Sequence, residues 1–175
     1  MSSVMVVPYD ANWNAEFDKI KTELVAALDE IASVIEHVGS TSVEGLPAKP
    51  VIDIDIVIKN YDTFEAAKSR LAEIGYRHNG DQGIKDRQAF VYEGKSHLMR
   101  HHLYVCPEYS EELRRHTAFR DYLREHPEDR DFYASIKVLA ARTYPDSIDN
   151  YLIAKGPCIE ELYRRCGLLD DLENA

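Results

Sequence analysis

The segment Val51 to Ile58, which reads V-I-D-I-D-I-V-I, constrains this chain more than any other. Its β-branched alternation predicts a strand. Because side chains alternate along a strand, Ile52, Ile54, Ile56 and Ile58 share one face, while Asp53 and Asp55 share the other, about 6.5 Å apart. Burying the isoleucine face is a structural need. Placing two carboxylates beside each other is not, since like charges on a shared site repel and raise one pKa. A divalent cation resolves the conflict, and paired carboxylates are hard oxygen ligands for Mg2+, or Mn2+ in its place, which keeps waters and bridges to substrate phosphates.

Twelve residues separate this pair from Gly39-Ser40, which ends a strand candidate over Val34 to Val38. A Gly-Ser turn can present backbone N–H groups and a hydroxyl to phosphate oxygens, because glycine lets the backbone approach closely. Together these are parts of a phosphoryl- or nucleotidyl-transfer site. The plainer alternative is that Gly39 makes a turn and the two aspartates face solvent. Neither an EF-hand nor a Walker loop fits, since Asp53 and Asp55 lie in an apolar strand and no G-x-x-x-x-G-K-[ST] occurs.

Around this centre the chain reads as α+β. Trp13, Phe17, Ile20, Leu24, Leu28 and Ile31 predict one helix over 12–33, and Asp62 or Thr63 caps a second through about Ile74, with Gly75 as its stop. Tyr76 to His78, Gln88 to Glu93 and His97 to Val105 predict short strands, with Glu93 to Ser96 as a hairpin turn. Ser110 caps the helical C-terminal half, where Pro127 and Pro145 divide helices over about 110–125, 128–142 and 147–166, the last interrupted near Gly156-Pro157. No linker, repeat or low-complexity tract appears, so residues 1–175 are expected to form one domain, with helices packed on a mixed or antiparallel sheet.

A formal charge of −10, from 21 basic and 31 acidic residues, opposes attraction to bulk nucleic acid or anionic lipid. Met1 to Pro8 has no basic leader region and no run is long enough to cross a bilayer, so no membrane partner is expected. Cys106, Cys158 and Cys166 lack C-x-x-C spacing and their odd number argues against full pairing, which fits a reducing cytoplasm.

The hydrophobic-Gly-Ser turn followed by Asp-hydrophobic-Asp resembles the signature of the nucleotidyltransferase (polymerase-beta-like) superfamily. More closely, the run from Ile35-Glu36-His37-Val38-Gly39-Ser40-Thr41-Ser42 through Leu46-Pro47-Ala48-Lys49-Pro50 to Asp53-Ile54 resembles the GrpB family. Val7-Pro8-Tyr9-Asp10 with Trp13, His101-His102-Leu103, Phe119 to Arg124, and Tyr151 with Ala154-Lys155 extend the likeness along nearly the whole chain. The resemblance implies a nucleotidyltransferase-like fold and transfer of a nucleotidyl group from a nucleoside triphosphate to an unknown acceptor. Asp53 and Asp55 would then hold metal, and Gly39, Ser40 and Thr41 would cradle the triphosphate. It also implies a rival: similar domains are fused to dephospho-CoA kinase, where the suggested role is a folding-accessory or partner-binding module with no need of a catalytic site.

The superfamily usually adds a third carboxylate from a later strand, but Arg100, His102 and Tyr104 alternate there without an Asp or Glu. His102 can serve as metal ligand, general base or phosphate contact, or simply hydrogen-bond within the sheet. His101 reads as structural or peripheral. Charge developing on a transferring phosphoryl group needs cations, for which Lys49, Lys155, Lys137 and Arg87 are the candidates, Lys49 and Lys155 gaining weight from the resemblance. Arg114, Arg115, Arg120 and Arg124 alternate with acids and read as a solvated helix face.

Overall fold

The computed structural model describes residues 4–169, so the first three residues of the apolar opening Met1 to Pro8 lie outside the described residues. Helix α1 (Asn12–Leu28) buries Trp13, Phe17, Ile20, Leu24 and Leu28 on a single face. It ends five residues before the expected limit, because Asp29 takes a positive φ of 48° and the chain tightens into a 3₁₀ turn over Asp29–Ile31. Helix α2 (Phe64–Glu73) has Thr63 at its N-cap, one of the two expected positions, but without a side-chain bond; the side-chain cap falls earlier, where Asn60 Oδ1 accepts the Asp62 N–H at 2.9 Å at the start of a 3₁₀ turn over Tyr61–Thr63. Gly75, with φ +92°, turns the chain away at the other end as expected.

Strands β1 (Val34–Val38), β2 (Ile52–Ile58), β3 (Tyr76–His78), β4 (Gln88–Tyr92) and β5 (His101–Pro107) form one sheet in the order β1-β2-β5-β4-β3. The β2–β5 pair is parallel and the other pairs are antiparallel, so the sheet is mixed. Strand β5 starts at His101, not at His97, and the link from β4 is longer than the Glu93–Ser96 turn predicts. Lys95 and His97 in that link reach Glu23 of α1, which draws the segment off the sheet and onto the helix.

The isoleucine face behaves as its pattern requires. Ile52, Ile54, Ile56 and Ile58 are all fully buried and pack with Phe17, Leu24, Phe64 and Leu71 in the main core beneath α1 and α2. Cutting one of them to alanine would cost about 2–5 kcal/mol. Helices α3 (Glu111–Glu125), α4 (Pro127–Thr143) and α5 (Ile148–Arg165) enclose a second apolar cluster with Val43 and Leu46 of the loop after β1. Ser110 caps α3 as predicted, accepting the Leu113 N–H at 3.2 Å, and Pro127 occupies the first turn of α4, where its missing N–H costs nothing. Helix α5, however, runs unbroken through Gly156-Pro157. Tyr151, Cys158 and Leu162 keep one buried face across the proline, and the backbone bond it forfeits is to Ile153, whose side chain is 72% exposed.

Candidate functional site

The opposite face of β2 carries the two aspartates, and their surroundings differ. Asp53 is half-buried and pairs across the parallel ladder with His102 of β5, whose Nδ1 lies 2.8 Å from Asp53 Oδ1. An ionised carboxylate can only accept, so Nδ1 is the donor and Nε2 is left free of this bond. Behind Asp53 stands Gly39 at φ +71° and ψ −176°, a conformation open in practice only to glycine. A Cβ there would lie 2.3 Å from Asp53 Oδ2, so the glycine is required twice over, by backbone angle and by contact with the carboxylate. The Gly39-Ser40 pair and the Asp-strand are thus one interlocked unit.

The loop after Gly39 is held from both sides. Thr41 Oγ1 lies 2.9 Å from Nε2 of His37, whose ring stacks on Phe17 and whose pKa burial pushes down to about 4, so the imidazole is neutral. Ser42 hydroxyl donates to the Gly39 carbonyl at 2.5 Å. On the helical side Arg120 donates to Glu36 and to the His37 carbonyl, Arg124 to the Ser42 carbonyl at 2.7 Å, and Arg130 to the Glu44 carbonyl. The arginines read from sequence as a solvated stripe therefore include Arg120, which ties β1 to the bundle, and Arg124, which ties the loop to it. Alternation of charge along a helix carries no sign of such long-range partners.

Three lysines converge on the Asp53 side. Ser40, Thr41, Lys49, Asp53, His102, Lys137, Tyr151 and Lys155 line a cleft of about 200 Å3. Lys137 is 2% exposed and Lys155 half-buried, their ammonium groups 5.1 Å and 4.7 Å from the ring centres of Tyr133 and Tyr151. Burial, reinforced by the neighbouring lysines, holds Lys137 well below its ordinary pKa and brings Lys155 down to about 8, with Asp53 opposing both shifts. Most arginines of the described chain sit in ion pairs, yet Lys49, Lys137 and Lys155 have no carboxylate partner among the described residues. In a chain of net charge −10, three lysines without a carboxylate partner among the described residues, one of them buried, thus stand beside the Gly-Ser turn.

Asp55 lies in a closed environment. It is 0% exposed, and His116 of α3 places Nδ1 2.6 Å from its Oδ2, while the other ring nitrogen is 3.1 Å from Glu112. Burial works against charge on His116, but the bonds to Asp55 and Glu112 outweigh it and push the imidazole up to about 9; burial raises the Asp55 carboxyl, with His116 opposing. Asp55 Oδ1 is buried with no hydrogen-bond partner. Sequence reasoning missed His116 because it lies 61 residues from Asp55, in a helix whose pattern is otherwise polar.

The remaining candidates separate. Tyr104, beside Asp55 in the ladder, lies under the guanidinium of Arg87 at 4.3 Å, which places Arg87 by the Asp55 end and outside the lysine cleft. His101 faces the core, bonded to the Tyr76 hydroxyl and stacked on Tyr92, as its structural reading expects. Among the described residues no cluster of three or more His, Cys, Asp or Glu forms a metal-binding set. Of the two carboxylates expected to hold metal, Asp53 opens to the cleft, whereas Asp55 is 0% exposed, bonded to His116 and absent from the cleft lining, with one oxygen left without a partner.

A mixed sheet bearing a Gly-Ser turn against an Asp-x-Asp strand, with a helical half beside it, is a nucleotidyltransferase-like fold. The poly(U) polymerase Cid1, in its MgGTP-bound structure, shares this fold, with a TM-score of 0.54 over 77% of this chain and 42% of that one, at 10% identity. The chain belongs to the GrpB family, whose model (GrpB protein) matches residues 3–165. A GrpB crystal structure from Enterococcus faecalis superposes with a TM-score of 0.81 at 30% identity, covering 96% of this chain and 99% of that one. Among curated relatives, the UPF0157 protein YqkA of Bacillus subtilis is 32% identical over 157 residues, 90% of this chain but 45% of YqkA. Glutamate-rich protein GrpB of Alkalihalophilus pseudofirmus is 31% identical over 162 residues, 91% of this chain and 93% of that protein. A dephospho-CoA kinase of Mycolicibacterium paratuberculosis is 27% identical over 187 residues, 93% of this chain and 46% of the kinase. No described helix is long and apolar enough to cross a membrane.

Proposed function

We propose that this protein is a metal-dependent nucleotidyltransferase that moves a nucleotidyl group from a nucleoside triphosphate to an acceptor, working as one domain in the cytoplasm. The observation that carries the reading is the meeting of three unpaired lysines with Asp53, Ser40 and Thr41 in one cleft. Lys49, Lys137 and Lys155 neutralise the triphosphate, and the Gly39-Ser40-Thr41 turn offers backbone N–H groups and hydroxyls to its oxygens. Asp53 and Asp55 would hold Mg2+, which when bound polarises the phosphate oxygens. Asp53 also orients His102, leaving Nε2 to take the acceptor proton. Neutral His37 fixes the Thr41 hydroxyl, and the Arg120 and Arg124 contacts hold the turn in place before substrate arrives. Three free thiols suit a reducing compartment.

The sealing of Asp55 favours a second reading, a non-catalytic module that supports a partner protein. The match to about half of a dephospho-CoA kinase is in keeping with it. Calorimetric titration with each nucleoside triphosphate, with and without Mg2+, separates the two. Saturable binding that needs metal and is lost in the Asp53→Asn/Asp55→Asn double variant is the expected result. Absence of binding to any triphosphate would favour the module.

A further inference from the structure

A second cavity opens from the lysine cleft. It has a volume of about 300 Å3 and shares Lys49, Val51 and His102 with the cleft, so His102 forms part of the wall between them. Beyond that wall its lining changes character: Met5, Pro50 and Ile148 are apolar, and Arg100 is the one further cation. Arg100 has no ion pair or hydrogen bond to another side chain among the described residues, whereas Arg115, Arg120 and Arg165 are all neutralised by carboxylates. Its main chain is fixed, since the Ile52 N–H donates to the Arg100 carbonyl at 3.0 Å, and its side chain is exposed.

We infer that this cavity is the acceptor subsite, and that it takes a small amphipathic anion: a hydroxyl-bearing molecule with an apolar body and a carboxylate or phosphate group. The inference rests on the nucleotidyl-transfer reading and names the acceptor class that reading leaves open. Arg100 would pair with the anionic group through its planar fork, and the walls of Met5, Pro50 and Ile148 would cover the apolar body. That places the acceptor hydroxyl against His102, on the far side from the triphosphate. In the transfer step the hydroxyl oxygen bonds to the α-phosphorus, its proton passes to His102 Nε2, the bond from the α-phosphorus to the bridging oxygen breaks, and pyrophosphate leaves among Lys137 and Lys155. The cavity lies at the lower end of small-molecule sites, about 300–1,000 Å3. A polymeric acceptor would need an extended basic track, which the net charge of −10 opposes.

The test is calorimetry on the full chain loaded with a non-hydrolysable ATP or GTP analogue and Mg2+, for wild type and Arg100→Ala. The probes are 3-hydroxybutyrate, glycerol 3-phosphate, neutral glycerol and a short oligoribonucleotide. The carboxylate and phosphate arms distinguish which anion is preferred. We expect the analogue to bind both proteins equally, one anionic probe to bind the loaded wild type, and that probe to lose about tenfold or more in Arg100→Ala, the worth of one charge-assisted pair. Analogue binding with no response to either anion removes the subsite and leaves the transfer reading standing. Preference for the oligoribonucleotide, or weaker analogue binding in Arg100→Ala, also overturns it, the latter by making Arg100 a nucleotide contact. Failure of wild type to bind any analogue takes down the transfer reading and the subsite together.

Discussion

Asp53 and Asp55 are two residues apart on one face of one strand, yet they meet opposite environments. Asp53 opens to a cleft of unpaired lysines and shares a proton donor with the ladder; Asp55 is sealed under α3 against a cationic imidazole. The same residue type in the same motif therefore opens to a cleft at one position and is built into the packing at the other. What decides this is the course of α3, which covers the Asp55 end through Val57, Cys106 and Leu113 and leaves the Asp53 end open. In stability terms the two carboxylates are unequal partners, and substitutions should show it.

The largest contrast is in unfolding. Asp55→Ala removes one of the two carboxylates on buried His116, leaving Glu112 as its remaining partner beside an empty space, and should cost about 3 kcal/mol, the low end for breaking a buried pair. Asp53→Asn keeps the shape of a side chain in partial contact with water and should cost about 1 kcal/mol or less. Urea denaturation of both variants measures the gap, and equal losses would erase the distinction. Gly39→Ala tests the Asp53 side more harshly: forced into a glycine-only conformation with its Cβ against Asp53, it should lose about 1–3 kcal/mol and displace the carboxylate. A variant that kept full stability and nucleotide binding would show that the turn and the strand are not interlocked.

Lys137→Met should move stability and binding in opposite directions. Removing an unpaired buried ammonium group is expected to stabilise the fold by about 0.5–2 kcal/mol. The same change should weaken triphosphate binding by about tenfold or more. Loss of both properties would mean that Lys137 has a structural partner and is not held for an anion.

The smallest effects are in pH dependence. Lys155, with its pKa brought down to about 8 from 10.5, binds fewer protons in the native state than in the unfolded chain between those values. Its burden on stability is therefore full below about pH 8 and is relieved as pH rises toward 10.5. Affinity for a triphosphate should fall as pH climbs through 8 and flatten in Lys155→Met, an outcome that calorimetry across this range checks. His37 acts at the acid end. With its folded pKa near 4 against 6.5, stability should decline as pH drops from 6.5 to 4, and His37→Gln should lessen that slope in thermal melts.

Much of this architecture is written in local periodicity. The isoleucine alternation of β2, the apolar stripe of α1, the cap at Ser110 and the break at Pro127 were each legible because they depend on neighbours a few residues away. The boundaries that shifted did so through distant contacts: the link after β4 is drawn to Glu23, and α5 continues past Pro157 because Tyr151 and Leu162 remain buried on one face. In the site, Gly39, Ser40, Asp53, His102, Lys49 and Lys155 could be picked out from motif and resemblance, and the fold brings all but Gly39 to one cleft lining, with Gly39 directly behind Asp53. His116, Arg120 and Arg124 could not, since nothing near them in sequence reveals partners 61 to 84 residues away.

By itself the sequence determined that this chain must bury an isoleucine face, that two carboxylates would share the other, and that a glycine-serine turn would precede them. Those follow from alternation and from the backbone freedom of glycine. Only the tertiary structure decided which aspartate would face the cleft, which would be locked to a histidine, and which few of 21 basic residues would line that cleft without a carboxylate partner. Burial and charge pairing depend on how helices far along the chain lie across the sheet, and that packing is set by the whole fold, not by any one segment.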